Sequence, residues 1–255
     1  MKSYTIEDLK SCLTKGNIAE GDLVMVHSSL LALGQLKKHK PKAVPSAVGH
    51  CLMDAVGPNG TIVVPTFNFA FCRGEPFDRQ TTPSEKMGML SEWFRKQSGA
   101  NRSKHPSQSV VAIGRLANDI CKVDTPSAFD LGGAFHHMIK QNAKLILLGT
   151  NLQAASIIHF SEQHCAVPYR YWKSFSGSYC DLGQEQEKTY KMYVRNLNTS
   201  PKLIMQPIED ELIARSQIQQ VALGAGHLRF SSFQNLIAAT NHCLKRDPWC
   251  LVAAQ

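Results

Sequence analysis

Short apolar runs alternate with amphipathic stretches along the first two-thirds of the chain. The apolar runs have the length of buried strands and occupy residues 23–27, 61–65, 109–114 and 144–149. The stretch 44–56 has a helical pattern and ends at a Gly-Pro-Asn-Gly stop, and 87–97 carries its apolar side chains on one helical stripe. Strands and helices that alternate at this spacing predict an α/β sheet with helices on its faces.

The pattern changes in the last third of the chain. β-rich segments at 178–182 and 189–195 flank the polar run Gly183–Lys188 and predict a two-stranded hairpin. The remaining patterned segments are helical at 208–219 and 233–244 and extended at 246–250. We expect one domain over residues 1–255, with a small hairpin and helical lobe around 171–205.

The composition is that of a globular protein and narrows the class further. Of 255 residues, 43% are hydrophobic and 19% are charged, which argues against disorder. The N-terminus carries acidic residues and has no apolar signal-peptide core, and no run of about 18 apolar residues occurs. The eight cysteines include no C-x-x-C pair, and most lie in apolar strings. We expect a cytoplasmic protein with reduced, mostly buried thiols and no membrane-spanning segment.

The chain is basic, with a formal net charge of +8 and a pI near 9.1. Such a balance fits an anionic partner: nucleic acid, a phosphorylated metabolite or a membrane surface. The basic residues are scattered, however, and the densest run, Lys37–Lys42, is short and contains no aromatic residue. We therefore expect small phosphorylated molecules as partners, and neither nucleic acid nor membrane.

Several common motifs are absent from the chain, and each absence excludes a class of protein. There is no G-x-x-x-x-G-K-[ST] loop, no G-x-G-x-x-G loop after a strand and no G-x-S-x-G elbow. The glycine-rich loop of the commonest acetyltransferases and the hexapeptide repeats of β-helix acyltransferases are also missing. What remains is a set of polar clusters at the ends of predicted strands, where α/β folds place their sites.

Three of these clusters suit a ligand that carries phosphate or amide groups. His27–Leu30 follows the first apolar strand, and its two serines offer hydroxyls and backbone N–H groups. Pro65–Phe67 ends the next strand, and Arg102–Pro106 places arginine, serine and histidine just before the strand that starts at Ser109. Each cluster alone is more typical of an ordinary loop, so the functional interpretation depends on their acting together.

The fourth cluster, His159 and Glu162, has the pattern of an oriented base. Both lie in residues 154–165, a predicted helix, and residues three apart share a helix face. A carboxylate beside an imidazole orients the ring and raises its basicity, although an isolated pair is also typical of a helix-surface ion pair. Gln163 breaks the H-x-x-E-H metalloprotease motif, and His159 and His164 are five apart and cannot hold one ion on a helix. We expect no metal.

The clusters occur together in an order that resembles the aminoglycoside 3-N-acetyltransferase family. The matching segments cover about residues 20 to 200 and are His27–Leu30 with Gly34, Gly60–Phe67, Phe77-Asp78 with Thr82–Ser84, Met87-Gly88 with Phe94-Arg95, Arg102–Pro106 with Ser109, Ala112 and Gly114, Leu147–Gly149, and His159–Glu162. Single motifs of this kind are common, whereas the ordered set is highly specific.

The resemblance implies a mixed central sheet with flanking helices and a CoA-dependent N-acyltransferase. The enzyme would move an acyl group from acetyl-CoA, or another acyl-CoA, to the primary amine of an amino sugar. The resemblance also implies that His159 deprotonates the amine and that Glu162 orients the His159 ring. The residues that it places near the coenzyme are His27, Ser28, Ser29, Leu30, Thr66, Phe67, Arg102, Ser103, His105 and Ser109. We expect the oxyanion donor to come from the His27–Ser29 turn.

The charge of the chain changes the expected acceptor. Enzymes that bind polycationic aminoglycosides usually present an acidic cleft, whereas this chain carries a charge of +8. We therefore expect a nucleotide-linked amino sugar, of the kind used in surface-polysaccharide assembly. The alternative is an aminoglycoside antibiotic, acetylated in a resistance reaction.

Two other classes of function compete with this one. A catalytically silent homologue would bind coenzyme or nucleotide without turnover, but it would have no need of a base such as His159 oriented by Glu162. A nucleic-acid-binding module is suggested by the charge alone. The sequence is silent on the acyl chain, and a homodimer is the default expectation for an enzyme of this kind.

Overall fold

The computed structural model of the protein describes residues 2–199 and 202–253. Its helices are α1 (Ile6–Lys15), α2 (Val44–Val56), α3 (Gly88–Arg95), α4 (Ala117–Cys121), α5 (Ala134–Lys140), α6 (Ile158–His164), α7 (Gln206–Ala214) and α8 (Phe233–Arg246). Its strands are β1 (Ser3–Tyr4), β2 (Leu23–Ser28), β3 (Gln35–Leu36), β4 (Thr61–Pro65), β5 (Phe77–Asp78), β6 (Asn101–Arg102), β7 (Val110–Gly114), β8 (Lys144–Leu148), β9 (Arg170–Asp181), β10 (Gln184–Arg195), β11 (Gln219–Leu223) and β12 (Gly226–Ser232). None of the helices in this part of the chain has the length and apolar character needed to cross a membrane.

A mixed sheet of seven strands forms the centre of the molecule. Its strand order is β11-β12-β8-β2-β4-β7-β6, and the three central strands β8, β2 and β4 run parallel. Strands β12 and β7 pair antiparallel with the two sides of this parallel centre. The mixed α/β sheet expected from the sequence is therefore confirmed.

Helices cover both faces of this sheet, which explains why its strands are continuously apolar. Successive side chains of a strand point to opposite faces. In β2, Val24 and Val26 pack in the core beneath α1, α2 and α3. Leu23 and Met25 of the same strand pack in the core beneath α4 to α8. Because both sets are buried, the strand shows no polar alternation, as parallel strands between two helical layers require.

The hairpin β9–β10 is longer than the sequence predicts. The two strands pair along all twelve residues, from Arg170 opposite Arg195 to Asp181 opposite Gln184. The reversal occurs at Leu182 and Gly183, both of which have positive φ, as a tight primed turn needs. The hairpin was predicted correctly, but assigning the polar run after Gly183 to its turn was wrong. That run is exposed on the strand, so it carries no apolar alternation to mark it.

Several other boundaries differ from the pattern. Helix α6 begins only at Ile158, because residues 152–154 form a separate 3-10 turn. The predicted helix 208–219 divides into α7 and the start of β11. All eight cysteines are free, but only Cys12, Cys51 and Cys121 are buried, so the expectation of mostly buried thiols was wrong.

Candidate active site

A cleft of about 660 Å³ opens where the parallel strands β2 and β4 end. This is the edge at which α/β sheets place their ligands. Its walls come from the ends of β2 and β4, from the loop between β8 and α6, and from the last residues of β10. The lining includes His27, Ser28, Pro65, Phe67, Phe69, Lys86, Met87, Gln108, Ser156, Ile158, His159, Arg170, Met192, Tyr193, Arg195, Leu203 and Met205.

His159 lies in the first turn of α6 and presents its ring to the cleft. Its Nδ1 lies 2.5 Å from Oε2 of Glu162, one helical turn further on. The Glu162 side chain is fully buried, whereas 32% of the His159 side chain is exposed. Phe129 packs its ring edge-on against the imidazole, with 5.7 Å between the ring centroids. The predicted pair is therefore an oriented dyad with one buried and one accessible member, and not a surface ion pair.

Two further side chains bind the Glu162 carboxylate. Tyr169 donates its hydroxyl to Oε1 at 2.9 Å, and Nη2 of Arg170 lies 2.8 Å from Oε2. Burial alone would raise the pKa of the Glu162 carboxyl, but the charges and hydrogen bonds of His159 and Arg170 outweigh it and hold that pKa at about 2. The carboxylate is therefore ionised throughout the neutral range.

The ionised carboxylate fixes the tautomer of His159. A carboxylate only accepts hydrogen bonds, so the Nδ1 of His159 that faces Glu162 carries the hydrogen. The lone pair is then on Nε2, on the other side of the ring. A neutral imidazole held in this way can take a proton from a nucleophile.

A second histidine lies at the floor of the cleft. His27 lies near the end of β2, is only 5% exposed, and has its Nε2 3.4 Å from the hydroxyl of Ser156. Burial, with a smaller effect of charge on His159, lowers the pKa of His27 to about 4. His27 is therefore a neutral hydrogen-bonding group at physiological pH.

The predicted arginine cluster lies beneath the surface. Arg102 is buried, and its donors go to the Ser109 hydroxyl at 2.9 Å and to the carbonyl oxygens of Thr82 and Thr66 at 2.5 and 2.6 Å. Its guanidinium also stacks on the ring of Phe77. Burial lowers the pKa of Arg102 to about 10, which leaves it charged at neutral pH. With its donors engaged, Arg102 stabilises the fold, and the structure gives no support to its predicted contact with coenzyme phosphates.

Other predicted coenzyme residues are also engaged within the protein. The Ser103 hydroxyl accepts from the N–H of Val110, and the buried His105 accepts from Gln108. Burial lowers the pKa of His105 to about 4, so it carries no charge for a phosphate. The Ser29 N–H donates to the carbonyl of Leu148 and is therefore not free for an oxyanion.

Of the predicted set, the cleft brings together five residues. They are His27, Ser28, Phe67, His159 and, behind the ring, Glu162. Leu30 lies instead in a separate apolar groove of about 290 Å³. Ser29, Thr66 and Ser109 do not line the cleft.

The cleft and the buried carboxylate behind His159 involve several residues that the sequence patterns do not reveal. Tyr169 and Arg170 follow α6 by a few residues, and no motif marks them. Tyr193 and Arg195 come from the far strand of the hairpin, which reaches the cleft only through the pairing of β10 with β9. Only a prediction of the register between β9 and β10 could have placed these two residues at the cleft.

The charged side chains that line the cleft are all basic. Lys86, Arg170 and Arg195 line it, and no aspartate or glutamate does so within residues 2–199 and 202–253. Arg170 is paired with the buried Glu162, which leaves Lys86 and Arg195 as the cationic groups that face a ligand. Across the same residues, no three His, Cys, Asp or Glu side chains come close enough together to hold a metal ion.

Comparison with known proteins identifies the relatives of this arrangement. A family model described as aminoglycoside 3-N-acetyltransferase matches residues 25–245. The chain is 27% identical to aminoglycoside N(3)-acetyltransferase III of Acinetobacter baumannii over 206 residues, covering 74% of this chain and 70% of that protein. It is 24% identical to aminoglycoside N(3)-acetyltransferase IV of Salmonella sp over 234 residues, covering 91% and 84% of the two chains.

Solved structures show the same fold. The solved structure of AAC-IIIb in its binary complex with CoASH superposes with a TM-score of 0.81, at 20% identity and over 99% of both chains.

Proposed function

We propose a function for this chain from the premise that it belongs to the aminoglycoside 3-N-acetyltransferase family, whose model matches residues 25–245. The proposed reaction is acetyl transfer from acetyl-CoA to a primary amine of an aminoglycoside. The observation that carries the proposal is the dyad of His159 and Glu162, with a buried carboxylate and an accessible imidazole at the cleft. A silent homologue would have no use for a base held in one tautomer.

The chemistry follows from the free Nε2 of His159. A protonated amine is not a nucleophile, so the acceptor reacts as its neutral amine, after the ammonium form has given one proton to solvent. A base is needed for a second proton, which becomes acidic as the nitrogen attacks the thioester carbonyl carbon. The C–N bond forms while Nε2 takes a proton from the nitrogen. The C–S bond then breaks, and the imidazolium gives that proton to the leaving sulfur. The products are an amide and the free thiol of coenzyme A.

The tetrahedral intermediate carries a negative oxygen, which needs hydrogen-bond donors. The Ser28 hydroxyl lines the cleft and can donate. His27 and Ser156 share a hydrogen bond, so either side chain can present a neutral donor beside the base. The Ser29 N–H is excluded because Leu148 already accepts from it.

The cleft also fits the donor substrate in its chemistry. Phe67, Phe69 and Met87 give an apolar surface for the pantetheine arm of a coenzyme. Lys86 lies at the same wall and offers a cation for a phosphate. One relative, AAC-IIIb, has been solved with CoASH, which supports a coenzyme A thioester as donor.

The comparisons favour an aminoglycoside over the nucleotide-linked amino sugar that the charge of the sequence suggested. The relatives III and IV carry aminoglycoside acetyltransferase names, and a structural neighbour has been solved with a gentamicin. Neither relative points to a nucleotide-linked acceptor. The antibiotic, which was the alternative in the sequence analysis, is therefore the first candidate.

One observation keeps an anionic amino sugar as a second candidate. A polycation is best held by carboxylates, but no carboxylate lines the cleft within the described residues, and Glu162 behind it is buried and ion-paired. Arg195 and Lys86 instead favour an acceptor with a phosphate or carboxylate group. A nucleotide-linked amino sugar has that chemistry.

A direct assay separates the two candidates. The purified chain is incubated with acetyl-CoA and either gentamicin or a UDP-linked amino sugar, and thiol release is followed together with the mass of the acceptor. We expect acetylation of gentamicin, seen as a gain of one acetyl group. Turnover of the UDP-linked sugar alone would establish the second candidate, and turnover of neither would contradict both.

A charge-reversal variant sharpens the assay. Arg195→Glu adds a carboxylate to the cleft wall without touching the dyad of His159 and Glu162. For a cationic acceptor, kcat/KM should stay level or rise, whereas for an anionic acceptor it should fall by about tenfold or more. Lys140→Glu, on α5 and outside the cleft lining, is the matched control for net charge.

A further inference from the structure

Arg170 shares one oxygen of Glu162 with the catalytic base. Its Nη2 lies 2.8 Å from Oε2, the same atom that accepts from Nδ1 of His159 at 2.5 Å. The same Nη2 is 3.2 Å from Nδ1 of His159. The guanidinium and the imidazole therefore compete for one carboxylate oxygen and nearly touch each other.

The guanidinium is held rigidly in this position. Arg170 is the first residue of β9, and its Nη1 donates to the carbonyl oxygen of Tyr193 across the hairpin at 3.0 Å. Its side chain is only 10% exposed, and its buried Nε has no hydrogen-bond partner within the described part of the chain. A surface arginine could swing away from a new charge, but this one cannot.

The titratable and charged groups around His159 come from five parts of the fold. Glu162 lies on its own helix, Tyr169 precedes β9, and Arg170 begins that strand. The remaining titratable or charged groups that line the cleft are His27 near the end of β2, Tyr193 and Arg195 on β10, and Lys86 in the loop before α3. Burial keeps His27 neutral, and burial also raises the pKa of Tyr193, so that its phenol stays neutral. Glu162 and Arg170 are thus the permanent charges in contact with the ring.

We propose that Arg170 is a positioning residue that balances the charge of Glu162, so that the imidazolium formed at His159 readily releases its proton. Without Arg170, the carboxylate would hold that imidazolium as an unopposed ion pair. A base that holds its proton too firmly cannot return it to the leaving sulfur. This inference rests on the proposed function, in which His159 takes and returns one proton.

The proposal is tested by the pH dependence of kcat/KM in two variants. Arg170→Gln removes the charge, and Arg170→Lys keeps it while losing the fork that reaches both Glu162 and Tyr193. We expect the acid limb of the profile to move to higher pH by roughly one unit in Arg170→Gln. In Arg170→Lys the limb should stay in place, even where the plateau rate falls.

A purely structural role for Arg170 would give a different result. Both variants would then lose activity or stability while the acid limb stayed in place, and that outcome would overturn the proposal. Thermal unfolding of both variants checks that they are folded.

A second measurement does not depend on turnover. The ring protons of His159 are followed by NMR against pH in the wild type and in Arg170→Gln, with His159→Ala used for assignment. We expect the titration of the ring to move to higher pH in Arg170→Gln, whether or not an acceptor has been found. An unmoved titration would overturn the role of Arg170, whereas a moved titration in a protein without acetyltransferase activity would overturn only the proposed function.

Discussion

Glu162 receives hydrogen bonds from three side chains, and this arrangement sets the chemistry of the cleft. His159, Tyr169 and Arg170 all donate to its two oxygens. The pairing of His159 with Glu162 could be predicted from the sequence, because a spacing of three on a helix puts both on one face. Tyr169 and Arg170 could not be predicted, because they act through the position of β9 and carry no local pattern.

Because folding lowers the pKa of the Glu162 carboxyl, the free energy of unfolding depends on pH in the acid range. Its carboxyl has a pKa of about 2 in the folded chain, against an ordinary value of 4.5. Its contribution to the free energy of unfolding is therefore complete above pH 4.5 and is lost as the pH falls toward 2. We expect the stability difference between the wild type and Glu162→Gln to narrow by roughly 2 kcal/mol between about pH 7 and about pH 3.

Urea unfolding at a series of pH values measures this difference. Glu187→Gln, an exposed glutamate on β10, is the matched control and should leave the pH dependence of stability unchanged. A gap between wild type and Glu162→Gln that stays constant over the same pH range would contradict the ionised, stabilising carboxylate.

At the scale of elements, segments with a regular apolar pattern could be predicted from the sequence, whereas contacts between distant segments could not. The boundaries of α2 and β4 match the sequence prediction, because each combines a clear apolar pattern with strong stop residues. The short elements β5 and β6 have two residues each and no pattern to detect. Their positions matter nonetheless, because β6 delivers Arg102 to the buried cluster between β4 and β7.

A substitution at Arg102 tests whether this arginine stabilises the fold or binds the coenzyme. Arg102→Leu leaves the carbonyl of Thr82 without its donor and removes one of the two donors to the carbonyl of Thr66, to which Ser109 still donates. We expect a loss of about 3 kcal/mol or more in the free energy of unfolding. The folded fraction should keep a KM for acetyl-CoA within about threefold of the wild type. Chemical denaturation and steady-state kinetics measure the two quantities.

The opposite pattern would restore the sequence-based interpretation of Arg102. A normal unfolding curve with a KM raised by about tenfold or more would mean that the guanidinium contacts the coenzyme. Arg115→Leu, on an exposed part of the chain after β7, is the matched control and should change neither quantity.

At the scale of the whole molecule, the family and the mixed fold could be predicted from the ordered motifs, but the acceptor could not. Net charge is a sum over the whole surface, and it placed a nucleotide-linked sugar ahead of the antibiotic. The comparisons reverse that order, although the cleft itself is cationic through Lys86 and Arg195. What the cleft binds depends on a few side chains from β10 and the loop before α3, and overall composition does not record where these lie.

The proposed mechanism depends most on His159 as the base, and one measurement tests this directly. The kcat/KM for acetyl transfer, with whichever of gentamicin and the UDP-linked amino sugar is turned over, is compared in the wild type, His159→Ala and His164→Ala. His164 lies on the same helix, donates toward the carbonyl of Phe129 and does not line the cleft. We expect His159→Ala to lose roughly 10²- to 10⁴-fold while its affinity for coenzyme A is unchanged, and His164→Ala to stay near the wild type. A His159→Ala enzyme with close to wild-type kcat/KM would contradict the mechanism.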